Sequence, residues 1–479
     1  MIGKNSWPGF SGIIVATFVA SQVFVSLGTE VILYAMVVVA GTVYVSRRAE
    51  EGIWVTFYLI AMTSLLYPIS VDVLGEAAVG AFRPYNVALV SVAGAMVFSV
   101  WSQRRPAFTG RAQRGTWLIR WIVALAGVFC LATIYGDLSP LKAGALYVLQ
   151  QSSAWLSFFL FLWIGYKLSL SPGEVRAALT RFHLTALVYS LLFLVKFASL
   201  EYYEGLTAAT QFAYSQRIAL FFAGIAFVLA VASRLAPKAE STANAVWVSA
   251  CVLLPAVVLS GSRSILGAVV LTSLLIVMIS RGRSLLRLSP LVLTITLLVS
   301  FVVLRTNYEV IEEYVVYRFV TAPDEDASFL GRVAEMQAVA EAVQRNPVLG
   351  SGTLASYTFF DPLFGLRETP FVDNGVGYLL MKTGLLGTAI FSLLVMAWLR
   401  LLWSLRKLTR ADSLAPIVTL LFYLAFLPFG SGFFDLKYSW LIGIMCGYSL
   451  YLAGIWGKNI GSWATEIRED GNRSTRSYA

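Results

Sequence analysis

The chain has 479 residues, 58% hydrophobic and only 13% charged, with a mean hydropathy of +0.75 and a net charge of +10. Soluble globular chains carry about 25% charged residues and an apolar share of about 45–50%, so a soluble multidomain enzyme and a disordered chain are both excluded. The surplus of Lys and Arg does not indicate nucleic acid either, because it falls in short clusters between apolar runs.

Those apolar runs are about 16 to 22 residues long, the length that crosses a bilayer core about 30 Å thick. The predicted fold class is an all-α polytopic membrane protein. Its fourteen predicted spans cover residues 10–27, 31–45, 53–69, 85–101, 116–134, 152–168, 184–200, 218–232, 245–259, 265–279, 288–304, 375–398, 414–427 and 440–455. This divides the chain into spans 1–11 (1–304), a long loop (305–373), spans 12–14 (374–456) and a tail (457–479). The basic clusters are Arg47-Arg48, Arg104 to Arg114, Arg176 and Arg181, Arg234 and Lys238, Arg281 to Arg287, and Arg400 to Arg410. They occupy every second loop, the positive-inside pattern, which places both termini in the cytoplasm.

The first pair of runs turns at Gly28-Thr29-Glu30 and reads either as a tight hairpin of spans or as a re-entrant pair. No cleavable signal is expected, since the first run lacks a small-residue cleavage site and leads into more spans. No internal repeat suggests the inverted halves of a secondary transporter. The tail from Gly457, with Arg468, Arg473 and Arg476, reads as a solvated cytoplasmic end. A single histidine, His183, makes a zinc site or histidine relay hard to build. Cys130, Cys251 and Cys446 lie inside apolar runs and read as small core residues.

Residues 305–373 exceed the usual connection length and fall on the side away from the basic clusters. Apolar positions at helical spacing predict short amphipathic helices over 308–319 and 329–344. Asn346-Pro347 ends the second, the Gly350-Ser351-Gly352 turn follows, and the Phe-, Pro- and Asp-rich stretch 358–371 is expected to fold over the membrane surface. A structured loop of this kind on a helical bundle is where recognition or chemistry sits; a lid or docking surface is the alternative.

Charged groups at bilayer depth cost about 2.5–3.5 kcal/mol even on lenient scales. Arg217 opens a span from the outer side, and Arg263 sits in the short turn Ser260-Gly261-Ser262-Arg263-Ser264 on the same side. A guanidinium binds phosphate oxygens through parallel hydrogen bonds, so both residues mark where an anionic ligand meets the outer leaflet; snorkelling to the headgroups is the alternative. Three more arginines, Arg318, Arg332 and Arg345, lie in the long loop. Arg332 begins a helix that leads back to the bundle, and Arg345 ends it, where a cation complements the helix dipole. Asp373 directly precedes a span, and either a general base or a helix N-cap fits it there. Asp324-Glu325-Asp326 has the look of an acidic metal site but lacks a companion ligand set and reads as a solvated turn. Arg120, Lys196 and Lys382 lie inside spans, Lys382 about two turns beyond Asp373.

From about Gln211 to Leu450 the chain resembles the O-antigen ligase and O-antigen polymerase (Wzy-like) family of bacterial envelope glycosyltransferases. The resemblance rests on Ser260-Gly261-Ser262-Arg263, on Gly331-Arg332 in the long loop, and on Asn346-Pro347-Val348-Leu349-Gly350-Ser351-Gly352. Asp373-Asn374 and Gly384-Leu385-Leu386-Gly387 complete it. It implies a GT-C-like, metal-independent, inverting glycosyltransferase without a cofactor, in the bacterial inner membrane with its active site facing the periplasm. Its implied partners are a polyprenyl-diphosphate-linked oligosaccharide donor and acceptor, membrane lipids and a chain-length regulator, with no nucleic acid. Arg263, Arg217 and Arg332 would hold the diphosphate and Asp373 would serve as the base, with Arg318, Lys382 and Asn374 as secondary candidates. Ligases of the family carry a His-Asn pair where this chain has Asp373-Asn374. The expected activity is therefore polymerisation of lipid-linked repeat units; a ligase is the alternative of the same chemistry and a lipid-linked oligosaccharide flippase that of another class.

Overall fold

In the computed structural model the described residues are 29–74, 84–102, 116–135, 145–198, 216–235, 242–279, 327–362, 365–408 and 414–454. The predicted spans 10–27 and 288–304, the predicted helix 308–319, Arg318, the acidic run 324–326 and the tail lie outside them. The described residues form thirteen α-helices and one β-hairpin. The helices are α1 (Thr29–Arg47), α2 (Gly52–Leu74), α3 (Pro84–Ser102), α4 (Thr116–Tyr135), α5 (Ala145–Lys167), α6 (Pro172–Ala198), α7 (Arg217–Leu235), α8 (Thr242–Leu259) and α9 (Arg263–Ile279). Then come α10 (Ala327–Arg345), β1 (Tyr357–Asp361), β2 (Gly365–Thr369), α11 (Gly375–Leu408), α12 (Leu414–Phe426) and α13 (436–454).

Among the described residues three stretches, Trp117–Ile134, Pro172–Phe197 and Gly375–Arg406, are long and apolar enough to cross a membrane, and seven shorter helices are also apolar. Large apolar side chains stand exposed on the outer helix faces, among them Phe98, Trp101, Val123, Val195 and Met278, as suits a surface solvated by lipid. Several hydroxyls inside the helices are satisfied within their own helix. Thr42, Thr56, Thr63, Thr133, Thr383 and Ser449 each donate to the carbonyl four residues earlier, which removes the penalty of an unpaired donor away from water. Cys446 is buried as expected, whereas Cys130 lies on the exposed face of α4.

Most helices lie where the apolar runs predict them, and the two largest differences have local causes. Helix α6 begins at Pro172, twelve residues before the predicted span. The Glu174 N–H donates to Ser171 Oγ (3.3 Å) and the Ser171 N–H donates to the Glu174 carboxylate (2.7 Å), a capping box with proline in the first helical position. Arg176 and Arg181 therefore ride on a helix, where Arg181 pairs with Glu51 of the short 3₁₀ turn after α1. Helix α11 runs to Leu408, beyond the predicted end at 398, but breaks at Gly384 (φ 64°, ψ −164°). Residues 347–352 fill the break. The Leu385 and Leu386 N–H groups donate to Pro347 and Val348, while the Ser351 and Gly352 N–H groups donate to Met381 and Lys382.

The long loop departs from the all-α expectation. After α10, close to the predicted 329–344 helix, β1 and β2 form an antiparallel hairpin pairing Tyr357 with Thr369 and Asp361 with Gly365. Burial alternates along β1, with Tyr357, Phe359 and Asp361 inward and Thr358 and Phe360 outward. A period of two is the mark of a strand with one covered face, and β1 packs on α10.

Candidate functional site

One cavity, of about 210 Å³, gathers residues from six helices. Helix α2 contributes Thr63 and Ser64. The first residues of α7 (Arg217, Ile218), α9 (Ser264, Ile265, with Ser262 before it) and α13 (Lys437, Tyr438, with Asp435 before it) line it as well. Asp373 approaches the start of α11, Arg332 comes from α10, and Phe426 to Ser431 close one side. Four helix N-termini thus meet at one space. Each carries about half a positive charge from its helix dipole, and together they favour an anion.

Local structure fixes each wall. Gln216 is fully buried, accepts a hydrogen bond from the Tyr189 hydroxyl (2.6 Å) and donates to the Ser64 carbonyl (2.6 Å), which ties the start of α7 to α6 and α2. The α8–α9 turn is held by Gly261 at φ 59°, by the Ser262 N–H on Ser260 Oγ (3.2 Å) and by the Ser262–Ser264 hydroxyl pair (3.0 Å). Ring packing holds the lining residues Phe426 and Tyr438. Phe221 packs on Tyr438 at 4.5 Å between centroids, on Phe426 at 4.8 Å and on Tyr423 at 5.2 Å, in the edge-on and tilted arrangements rings prefer. Lys437 Nζ lies 3.1 Å from Asp435, so this rim carries both signs of charge.

The Asp373 region resolves a choice the sequence leaves open. Asn374, not Asp373, caps α11: its Oδ1 accepts the Gly377 N–H (2.5 Å) and its carbonyl the Tyr378 N–H (3.0 Å). The Asp373 carboxylate is exposed and lines the cavity, while its backbone N–H donates to Glu335 Oε1 at 2.8 Å. Glu335 is buried, and burial raises its carboxyl above the usual carboxylate range, with the Asp373 charge adding to the rise. The Tyr357 hydroxyl, the Asp373 N–H and the Arg332 charge act against that rise. Tyr357 is pushed upward in turn, first by burial and then by Glu335.

The structure brings Arg217, Arg332 and Asp373 to one cavity. Arg263 stands between two wall serines but is itself exposed and outside the lining. Asn374 is the helix cap. Lys382 is wholly buried away from the lining, its ammonium donating to the Ala355 carbonyl. Arg345 is exposed in the last turn of α10, and Arg120 is exposed on α4 over the Trp117 ring. His183 is buried against Ser249. Among the described residues no group of three or more His, Cys, Asp or Glu gathers at metal-binding spacing.

Sequence reading misses Glu335, Asp435 and Lys437. For Glu335 a signal exists. It falls on the stripe of α10 that also carries Val339, and a carboxylate on the apolar stripe of an amphipathic helix calls for a partner. The other two are hidden because α13 starts at residue 436, ahead of the predicted boundary at 440.

Residues 245–392 match the family model described as O-antigen ligase, and the resemblance read from the sequence holds over that segment. Arg263, Arg332 and Asp373 fall inside the match; Arg217 and Lys437 fall outside it. No curated protein matches the chain.

Proposed function

We propose, from the premise of an O-antigen ligase domain across residues 245–392, that this membrane protein is an inverting glycosyltransferase. It joins polyprenyl-diphosphate-linked oligosaccharides into a surface polysaccharide at the outer face of the bacterial inner membrane, with a GT-C-like arrangement. The observation that carries the reading is the shared cavity: Arg217, Arg332 and Asp373 line one space where four helix N-termini converge. A diphosphate leaving group gathers negative charge as the sugar departs. Guanidinium groups and helix dipoles already aimed at it stabilise that charge without reorganising, which is the largest common contribution to such a reaction. Asp373 takes the proton of the acceptor hydroxyl, and attack from the face opposite the diphosphate inverts the anomeric centre. Arg263, just outside the lining, guides the donor headgroup by long-range attraction.

A ligase is the second reading, and the description of the matched family favours it. Polymerase is preferred because Asp373-Asn374 stands where family ligases carry a His-Asn pair. The test is to incubate the purified protein, in lipid nanodiscs, with lipid-linked oligosaccharide isolated from the host membrane, and to resolve the products on a gel. A ladder of lengths is expected. A single shift that needs an added acceptor glycolipid assigns ligase instead. Translocation of the lipid across vesicles with no new glycosidic bond overturns the transferase reading.

A further inference from the structure

Beyond the cations and the base, one buried group touches both halves of the site. Glu335 is 6% exposed. Its Oε1 accepts the Asp373 backbone N–H at 2.8 Å and the Tyr357 hydroxyl at 2.7 Å. The same tyrosine hydroxyl reaches the Phe371 carbonyl at 2.5 Å, so β1, the 371–373 approach to α11 and helix α10 meet on a single carboxylate oxygen. Arg332 lies three residues earlier on α10, on the neighbouring surface of the same helix, and lines the cavity with Asp373.

We propose that Glu335 is a positioning residue for Asp373, fixing the distance between that carboxylate and Arg332 by tying both to one turn of α10. Residues 370–374 carry no regular structure before α11 begins; Tyr357 holds the Phe371 carbonyl and Val372 is buried, while the Glu335 bond holds the Asp373 backbone itself. The charged and titratable groups around Glu335 are Asp373 from the approach to α11, Arg332 from its own helix and Tyr357 from β1. It does not line the cavity itself, which is why its role is to place Asp373 and not to touch substrate. The functional half of the inference rests on the glycosyltransferase reading; the structural half does not.

Two measurements on the full-length protein in nanodiscs separate these halves. The first is hydrogen exchange across residues 370–376. Glu335→Ala removes the acceptor and should speed exchange of the Asp373 amide on the order of 10-fold, whereas Glu335→Gln keeps an oxygen acceptor and should leave it protected. Equal protection in wild type and Glu335→Ala overturns the proposal whatever the activity. The second is transfer from lipid-linked oligosaccharide isolated from the host membrane. Glu335→Ala should lower kcat about 100-fold with donor KM little changed, the cost of a misplaced group, and Glu335→Gln should stay within about threefold of wild type on the same reasoning. In the Asp373→Ala background Glu335→Ala should cost nothing further, because it acts through that residue. An additive loss, or a Glu335→Gln as inactive as the alanine, overturns positioning and gives Glu335 a part in the chemistry. Exchange as expected with no transfer by the wild type leaves the tie standing and removes the glycosyltransferase reading.

Discussion

At Asn374 and Asp373, adjacent polar residues divide two tasks. Asn374 satisfies the Gly377 N–H in the first turn of α11, and the Asp373 side chain is left to the cavity. Asn374→Ala is expected to lower stability by about 1 kcal/mol, as loss of an N-cap does, read as an earlier thermal midpoint with the product pattern unchanged. Arg217→Ala and Arg332→Ala should each reduce kcat about 10²–10³-fold, the range for losing one preorganised charge donor. Arg217→Lys should recover only part of this, because an ammonium lacks the bidentate fork; recovery to wild-type rates would show that point charge alone matters. Glu335 also makes stability depend on pH. Its folded carboxyl titrates above its unfolded value, so the folded chain holds that proton more tightly. The stability it contributes is complete below the ordinary carboxylate range and is lost as pH rises through the raised folded value. Thermal midpoints of the wild type should fall across that window relative to Glu335→Gln, and parallel curves would contradict the assignment.

The elements that define the site depend on close backbone approach. At the break in α11, Gly384 occupies a conformation nearly reserved for glycine, and a side chain there would overlap the Val348 carbonyl. Opposite it, Gly350 has φ 72°, and a Cβ there would stand 2.6 Å from the Gly384 nitrogen. The run 346–352 and the run 384–387, about thirty residues apart in the chain, are thus two sides of one contact. Gly384→Ala should lower the amount of folded protein extracted in mild detergent; unchanged yield and exchange at 347–352 would refute the account. A second contact of this kind joins α5 to α13. Ser439, Gly443 and Gly447 recur every four residues on α13, Ser439 shares a hydrogen bond with Ser157 (2.5 Å), and Gly165 and Gly447 leave no room for a Cβ against the facing carbonyls. Small residues at this spacing let membrane helices approach closely. Gly447→Val should therefore destabilise the bundle, and because α13 also supplies Lys437 and Tyr438, the cavity should be lost with it.

Across the whole molecule, the cavity lies where helices distant in sequence begin. Arg217 and Asp435 are more than two hundred residues apart, yet both line it. This arrangement concentrates positive potential from dipoles and side chains on one side of the bundle. Inorganic pyrophosphate should bind competitively with the lipid-linked donor, more weakly at high salt, and Arg332→Ala should weaken it more than Arg263→Ala, since only the former lines the cavity. Equal effects would move the anion site toward the α8–α9 turn. Transfer should also survive EDTA, as the proposed chemistry assigns no step to a metal ion.

Composition and periodicity were enough for the helical membrane class and most of the helix positions, because both follow from local pattern and transfer free energy, and short motifs such as Ser260-Gly261-Ser262-Arg263 carried the family resemblance. They also carried Arg217, Arg332 and Asp373 as candidates, since a charge beside an apolar run is conspicuous in one dimension. Which arginines share a space with Asp373, which neighbour caps α11, and the existence of Glu335 and Lys437 as members of the site were decided by the tertiary fold. Those properties are distances between segments far apart in the chain, and they are set by helix packing and by backbone inserted at Gly384, which no local pattern encodes.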